Sequence, residues 1–390
     1  MPENPGEGSI RGNRKRNLVR VGFIAGICLL LVEFGVFRSG LYFQVVEPNS
    51  YCGQVVNVLR GARVFQDEAG EAERVLVLGD SRMAEGFSSR LSDELGPRDL
   101  RWFNASVAGS TPRVWSYLLE TMRRQGIRFD FVVVSVQSLA GRATEYGIAD
   151  RVLDGQFMPP ILPLPETLDF ARSFPSSPLR WKMLFQGLVS SYALRNDVIH
   201  LLSNPAKRLD VAARTREAFR SHYAYSGRSG NLVGKVWVAE GRPAFSSEIT
   251  AGGRWEFESQ CKLYSEEVRP EDRTYQREWI GRLERSCRAA GATLVVALTP
   301  RGPLGECYDP ENRVDGHACL GLAPDTVILP AGAFSGLEKP EYFFDHFHMN
   351  SDGRREFSTL LLKYVSGIAA VPSTTGESAS TAGIDQGERD

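Results

Sequence analysis

The stretch RVLVLGDS, residues 74–81, sets the architecture of this chain. Four consecutive apolar residues, Val75 to Leu78, leave no polar face, so the strand they form is covered on both sides, as in a parallel sheet. Gly79 then breaks the run. The pattern recurs at FDFVVVSVQS (129–138) and ATLVVALTP (292–300), which also end in small or polar residues. Helical stretches precede these two, VWSYLLETMRRQG (114–126) and YQREWIGRLERSCRAAG (275–291), each ended by glycine. Strand–helix alternation of this kind indicates a layered α/β domain with a mostly parallel sheet.

Composition bounds the function classes. The chain has 390 residues, 42% hydrophobic and 24% charged, which is ordinary globular usage and excludes wholesale disorder and a polytopic membrane protein. A net charge of -1 argues against a dedicated nucleic-acid binder, which needs clustered cations to displace counterions. The ends differ, however. Arg11, Arg14, Lys15, Arg16 and Arg20 make the N-terminus basic, and Glu377, Asp385, Glu388 and Asp390 make the C-terminus acidic.

The basic end precedes VGFIAGICLLLVEFGVF (21–37), an apolar run carrying one charge, Glu33. A helix spanning a hydrocarbon core of ~30 Å needs ~20 residues, and residues 18–37 suffice. Cations before the run place residues 1–17 in the cytoplasm and the remainder outside. No small-x-small cleavage site follows Phe37, and Cys28 lies within the run, so an uncleaved anchor in the lipid bilayer is expected rather than a signal peptide or a lipoprotein. Glu33 reads as a tolerated interfacial charge.

Residues 38–72 read as a juxtamembrane linker and 73–370 as the folded domain. Its alternation stops over 139–271, where MPPILPLPETLDF, a helical LRWKMLFQGLVSSYALRNDVIHLL and a hairpin-like GKVWVAEGRPAF suggest an insertion above the sheet. Residues 371–390 are poor in hydrophobics and are expected to be disordered. Cys307 and Cys319 bracket a Pro/Gly/Asp-rich loop and either pair in an oxidising compartment or stay free thiols; no C-x-x-C occurs, and His317 alone does not complete a zinc site.

Gly79-Asp80-Ser81 ends a buried strand where a helix begins. There Ser81 is either a nucleophile, its own N–H and the positive helix end facing an oxyanion, or a turn residue beside a capping Asp80. A serine hydroxyl needs a base, and the base an orienting group. Of five histidines, His348 lies three residues after Asp345 and just before a helix capped by Asn350 or Ser351. That spacing lets the carboxylate reach Nδ1 and leaves Nε2 for the serine proton. His346 is the rival base, expected to pack or make a polar contact at the rim. Asp197 and His200 repeat the spacing inside a helix, where an i,i+3 structural contact is the simpler reading. Asp345, His346 and His348 lack the context of a metal site, so neither metal nor cofactor is expected. RWFNASVAGST (101–111) supplies Asn104 and Gly109, whose N–H can face an oxyanion, and Gln137 can donate from the third strand's end. Asp80 and Asn104 are expected to contact substrate.

Gly79-Asp80-Ser81, Asn104 with Gly109, the strand end at Gln137, and Asp345-x-x-His348 resemble, in this order, the GDSL or SGNH hydrolase superfamily. The resemblance covers roughly residues 72–138 and 290–366. It implies a three-layer α/β/α sandwich with a flavodoxin-like parallel sheet, a Ser81 nucleophile, a His348 base, an Asp345 orienter, and an oxyanion hole from Ser81, Gly109 and a third-block side chain. That third position is usually asparagine; Gln137 stands there instead, one methylene longer. No G-x-S-x-G elbow occurs, which disfavours the α/β-hydrolase fold. The anchor and insertion look like bacterial membrane-anchored members that act on cell-envelope polysaccharides.

The expectation is therefore a tethered extracytoplasmic serine ester hydrolase acting on acylated carbohydrate or another small ester. An O-acyltransferase using the same triad, with a sugar hydroxyl in place of water, and a non-catalytic envelope scaffold are the alternatives. Arg142, Trp181, Tyr192 and Trp237 are candidate acceptor-binding residues, or simply packing aromatics.

Overall fold

A computed structural model describes residues 7–142, 152–220, 227–308 and 314–370. The tail expected to be disordered, 371–390, lies outside the described residues. A parallel five-stranded sheet organises the rest, its strands being, in spatial order, the second, first, third, sixth and seventh along the chain. In chain order the elements are α1 (Glu7–Val32), α2 (Tyr51–Ala69), β1 (Glu73–Leu78), α3 (Ser81–Gly86), α4 (Ser89–Leu95), β2 (Leu100–Asn104), α5 (Pro112–Arg124) and β3 (Phe131–Val136). Then come α6 (Leu164–Arg172), α7 (Ser177–Leu188), α8 (Ser190–Ala193), α9 (Arg195–Ser203), α10 (Pro205–Arg220), β4 (Val236–Ala239), β5 (Arg242–Phe245) and α11 (Ala251–Ser265). The chain closes with α12 (Pro270–Ala290), β6 (Thr293–Leu298), α13 (Gly316–Leu320), β7 (Val327–Ile328) and α14 (Ser351–Ala369).

The continuous apolar strands divide their side chains between two cores, as the two-residue pleat requires. Leu76 and Leu78 of β1, Val132 and Val134 of β3, and Leu294 and Val296 of β6 face one side, against α2, α5 and α12. Val75, Val77, Val133, Val295 and Ala297 face the other, against α3, α11 and α14. Each such valine or leucine contributes roughly 1.5–3 kcal/mol by leaving water. β1 pairs with both β2 and β3, so Gly79 emerges near the middle of the carboxyl edge, where neighbouring strands also end.

Residues 38–72 are not a linker. They contain α2, whose Val55, Val58, Leu59, Ala62 and Phe65 are buried in the first core. These positions recur at three and four residues, the helical period. The segment 139–271 adds no strand to the main sheet among its described residues; it supplies α6 to α11 and an antiparallel β4–β5 hairpin. Its start is tied down by the fully buried pair Arg113–Asp154, 3.1 Å apart, with the Arg113 guanidinium 3.9 Å over Phe174. Cys307 and Cys319 are free thiols, and Cys307 lies beside Cys261 instead, so of the two readings the pairing does not occur. Proximity across the fold, which the sequence spacing does not encode, chose its neighbour.

Arg20–Arg38 is long and apolar enough to cross a membrane, with a mean hydropathy of 2.0 and only 11% of it buried. Its last part, Glu33–Arg38, widens into a π-helix. Glu33 is not an idle interfacial charge. It is buried, and its two carboxylate oxygens accept the N–H groups of Ser190 and Ser191 at 2.7 and 3.0 Å, with Arg38 at 3.5 Å. A carboxylate at these leading N–H groups satisfies donors that a helix start leaves orphaned.

Gly79 is required by space. A Cβ there would lie 2.4 Å from Met83 Cβ and 2.6 Å from Ser135 Oγ. Gly79→Ala is therefore expected to cost about 1–3 kcal/mol by overpacking, read as an earlier unfolding midpoint in denaturant; an unchanged midpoint would show that the turn has slack.

Candidate active site

The turn at Gly79 starts α3 at Ser81. Asp80 is the cap: its Oδ1 accepts the Arg82 N–H at 2.9 Å, while Oδ2 takes Arg82 Nη2 at 2.7 Å. Burial alone would raise the Asp80 carboxyl, but the Arg82 guanidinium beside it holds it below the usual carboxylate range. The Gly79 carbonyl in turn accepts the Val107 N–H at 3.0 Å and the Ser110 hydroxyl at 3.1 Å, which stitches the segment after β2 onto the end of β1. Gly109 lies in that segment with φ of 73°, a conformation that favours glycine. Ser81 and Gly109 line one cleft, and neither backbone N–H has a hydrogen-bond partner among the described residues.

The third part comes from the far end of the chain. Phe343 and Met349 form an isolated bridge, and the turn between them carries Asp345 and His348. Asp345 Oδ1 accepts the N–H groups of Phe347 and His348 at 3.0 and 2.7 Å, and Oδ2 lies 2.8 Å from His348 Nδ1. Burial works against the Asp345 charge, yet these bonds, led by that with His348, hold its carboxyl below its ordinary value. His348 Nε2 lies 2.9 Å from Ser81 Oγ. With Nδ1–H donating to Asp345, Nε2 is the tautomer's acceptor for the serine proton.

What aligns these distant segments is α14. Asn350 caps it, accepting from Asp352 and Gly353 at 3.1 and 2.9 Å. Arg354 Nη1 donates to the carbonyls of Ala84 and Glu85 at the end of α3, and Ser358 Oγ accepts the Ser88 N–H at 2.8 Å. The helix that follows His348 thus grips the helix that begins at Ser81.

The cleft, about 250 Å³, is walled by Trp115, Leu263, Tyr264 and Phe347, with Thr111, Gln260 and Gln276 among its polar groups. Such a mainly apolar hollow with a few polar groups suits a small ligand. Leu263 and Tyr264 come from α11 and Gln276 from α12; sequence reasoning passed over all of them, because nothing in their residue types separates a cleft wall from ordinary helix packing. Arg82 was missed as well. It is buried, joins Asp80 to the Tyr264 hydroxyl at 3.1 Å, and follows Ser81 without any motif to mark it.

Two expected roles change. Asn104 does not line the cleft: its Nδ2 donates to the carbonyls of Met83 and Phe87 at 3.3 and 3.1 Å, closing the end of α3. Asp80 does line it, but its carboxylate is committed to Arg82 rather than turned to a ligand. Gln137 also lines it, and its amide donates one N–H to Asp80 Oδ2 at 3.3 Å. Of the candidate acceptor residues, Trp181, Tyr192 and Trp237 are exposed outside the cleft, and Arg142 donates to the Leu263 carbonyl at 3.0 Å. Asp197 and His200 both hold the buried Arg208, a structural arrangement. No group of acids, histidines and cysteines suited to a metal occurs among the described residues.

The comparisons with known proteins add no identity: no protein-family profile matches the chain, and no curated protein matches it.

His346 lines the cleft with its ring edge-on to Phe257 and Phe347. Burial pushes it down to about 4, with Asp345 pulling upward and His348 downward; Glu256, 3.4 Å away, is half exposed and does little to hold a proton on it. The unfolded chain then binds this proton more tightly than the folded one. Stability should fall as pH drops from 6.5 toward about 4. His346→Gln should flatten that part of a melting-temperature profile, and an unaltered profile would assign the acid sensitivity elsewhere.

Proposed function

We propose that this protein is a membrane-tethered serine ester hydrolase of the GDSL or SGNH type. The observation that carries the reading is the unbroken chain from Asp345 through His348 to Ser81, with contacts of 2.8 and 2.9 Å. The resemblance of Gly79-Asp80-Ser81, Gly109 and Asp345-x-x-His348 to that superfamily supports it, as does the parallel sheet with a core on each face, which suits a three-layer α/β/α sandwich. The apolar Arg20–Arg38 helix supports a single-pass anchor, with the cations before it on the cytoplasmic side and the folded domain outside.

Chemistry follows from the geometry. Ser81 Oγ attacks the ester carbonyl carbon while His348 Nε2 takes its proton, and Asp345 stabilises the imidazolium through Nδ1–H. The tetrahedral oxyanion accepts the Ser81 and Gly109 N–H groups, each such donor worth about 3 kcal/mol in the transition state. His348 returns the proton to the departing alcohol oxygen, leaving an acyl group on Ser81. Water, deprotonated by His348, then releases the acid. The Ser81 and Gly109 backbone donors carry the oxyanion, and Gln137 spends one of its two N–H groups on Asp80. The small, mainly apolar cleft suits a short acyl group on a carbohydrate or another small alcohol.

A fluorophosphonate probe applied to the full chain in detergent should label the wild type and not Ser81→Ala; an unlabelled wild type at neutral pH would end the enzymatic reading. Asp345→Asn, which keeps the shape but loses the charge, should lower kcat for an aryl acetate by about 10³–10⁴-fold. A change below tenfold would show that the carboxylate does not serve His348.

A further inference from the structure

The exposed large apolar side chains include one group on the α1 helix and another on α7–α9. On α7 they are Trp181, Phe185 and Leu188, spaced i, i+4, i+7 and therefore on one stripe. Tyr192 of α8 and Ile199 and Leu202 of α9 are exposed as well, Leu202 at 75%. α7 and α8 join at this surface: the Phe185 and Tyr192 rings meet edge-on at 4.9 Å, and the Arg195 guanidinium lies 4.4 Å over Tyr192. An apolar face of this kind is not left to water without a purpose.

What covers it follows from its attachment to α1. Glu33 holds the opening N–H groups of α8, Tyr42 donates to Asp197 of α9, and Phe37 and Tyr42 share a small core with Leu194. The outer end of the apolar helix is therefore held by the folded domain through Glu33 and Phe37, while Phe34 between them stays exposed. The part that lies wholly before these contacts, residues 20–32, measures only about 20 Å at 1.5 Å per residue, short of the ~30 Å hydrocarbon core. Such a shortfall draws the flanking protein into the interface. Exposed Phe34 and Leu41 lie on the same stretch that α8 and α9 grip.

We propose that α7, α8 and α9 form an apron immersed in the headgroup and upper acyl region of the phospholipid bilayer, on the side where the anchor emerges. Trp181 and Tyr192 are the amphipathic rings favoured at that depth, and exposed Lys182 supplies a cation for lipid phosphates, while Arg195 is held over Tyr192. The apron fixes the domain's height and tilt above the bilayer, where a free tether would not. The inference rests on the reading of α1 as an anchor, and is independent of the esterase reading.

The test uses the full chain in phosphatidylcholine vesicles whose acyl chains are brominated close to the headgroup, beside unbrominated vesicles. Trp102, Trp115 and Trp279 are buried, and Trp237 and Trp255 are exposed outside α7–α9, so the emission lost in Trp181→Phe isolates Trp181. That share should fall by about half or more in brominated lipid, as for a side chain at acyl-chain depth. Leu202→Trp in the Trp181→Phe background should add a second quenched signal. Vesicle-bound chain with both signals unquenched overturns the apron alone, and points to a second copy or another protein on this face. Chain that does not enter vesicles overturns the anchor and the apron together.

Discussion

The grip of α14 on α3 is the constraint from which the site follows. Ser81 and His348 are 267 positions apart, and no local preference brings them together. Arg354 and Ser358 do so by pairing with backbone groups at and just beyond the end of α3, Ala84, Glu85 and Ser88. Those bonds place the turn before α14 directly over the turn that starts α3. The Gly79 carbonyl performs the equivalent service on the other side, holding the Gly109 segment through Val107 and Ser110. The sheet sets the positions to within a strand spacing, and these bonds set the last ångström. A hydroxyl–imidazole contact of 2.9 Å needs that second tier, since a displacement of 1 Å would break it.

The charged groups beside Ser81 are matched to one another before any ligand arrives. Asp80 is neutralised by Arg82 and takes an N–H from Gln137, so the negative charge next to Ser81 is compensated. Asp345 carries the charge that bears on His348, supported by two backbone N–H groups. Two carboxylates near one imidazole thus have different partners and different duties. Asp80 maintains the start of α3, and Asp345 orients the ring. Leu263 and Tyr264 from α11 of the segment 139–271, and Gln276 from α12 of the core, wall the cleft beside the strand edge that carries Ser81.

How much of this was legible depended on whether a residue's partner was local. Val75–Leu78, Phe131–Val136 and Thr293–Leu298 were readable as doubly covered strands because continuous apolar runs admit little else. Asp345 and His348 were readable because three residues of turn suffice to join them. The helix α2 carried an equally plain period through Val55, Val58, Leu59, Ala62 and Phe65, but its position between an apolar run and the first strand led to its reading as a linker. β7, two residues long, leaves too short a pattern to detect. Partners set by the fold were not readable at all: Asn104 with the end of α3, Gln137 with Asp80, Cys307 with Cys261, and Glu33 with Ser190 and Ser191. In each case the residue's chemistry was plain and its neighbour was decided by chain segments far away in sequence.

The central claim is that Ser81 carries the acyl group between two half-reactions, and rapid mixing with p-nitrophenyl acetate addresses it most directly. The account predicts a burst of p-nitrophenol approaching one equivalent per chain whenever water attack is the slower step, with an acetyl group on the peptide containing Ser81 after acid quenching. Turnover without an acetylated Ser81 peptide, or acetyl carried by another side chain, would contradict it.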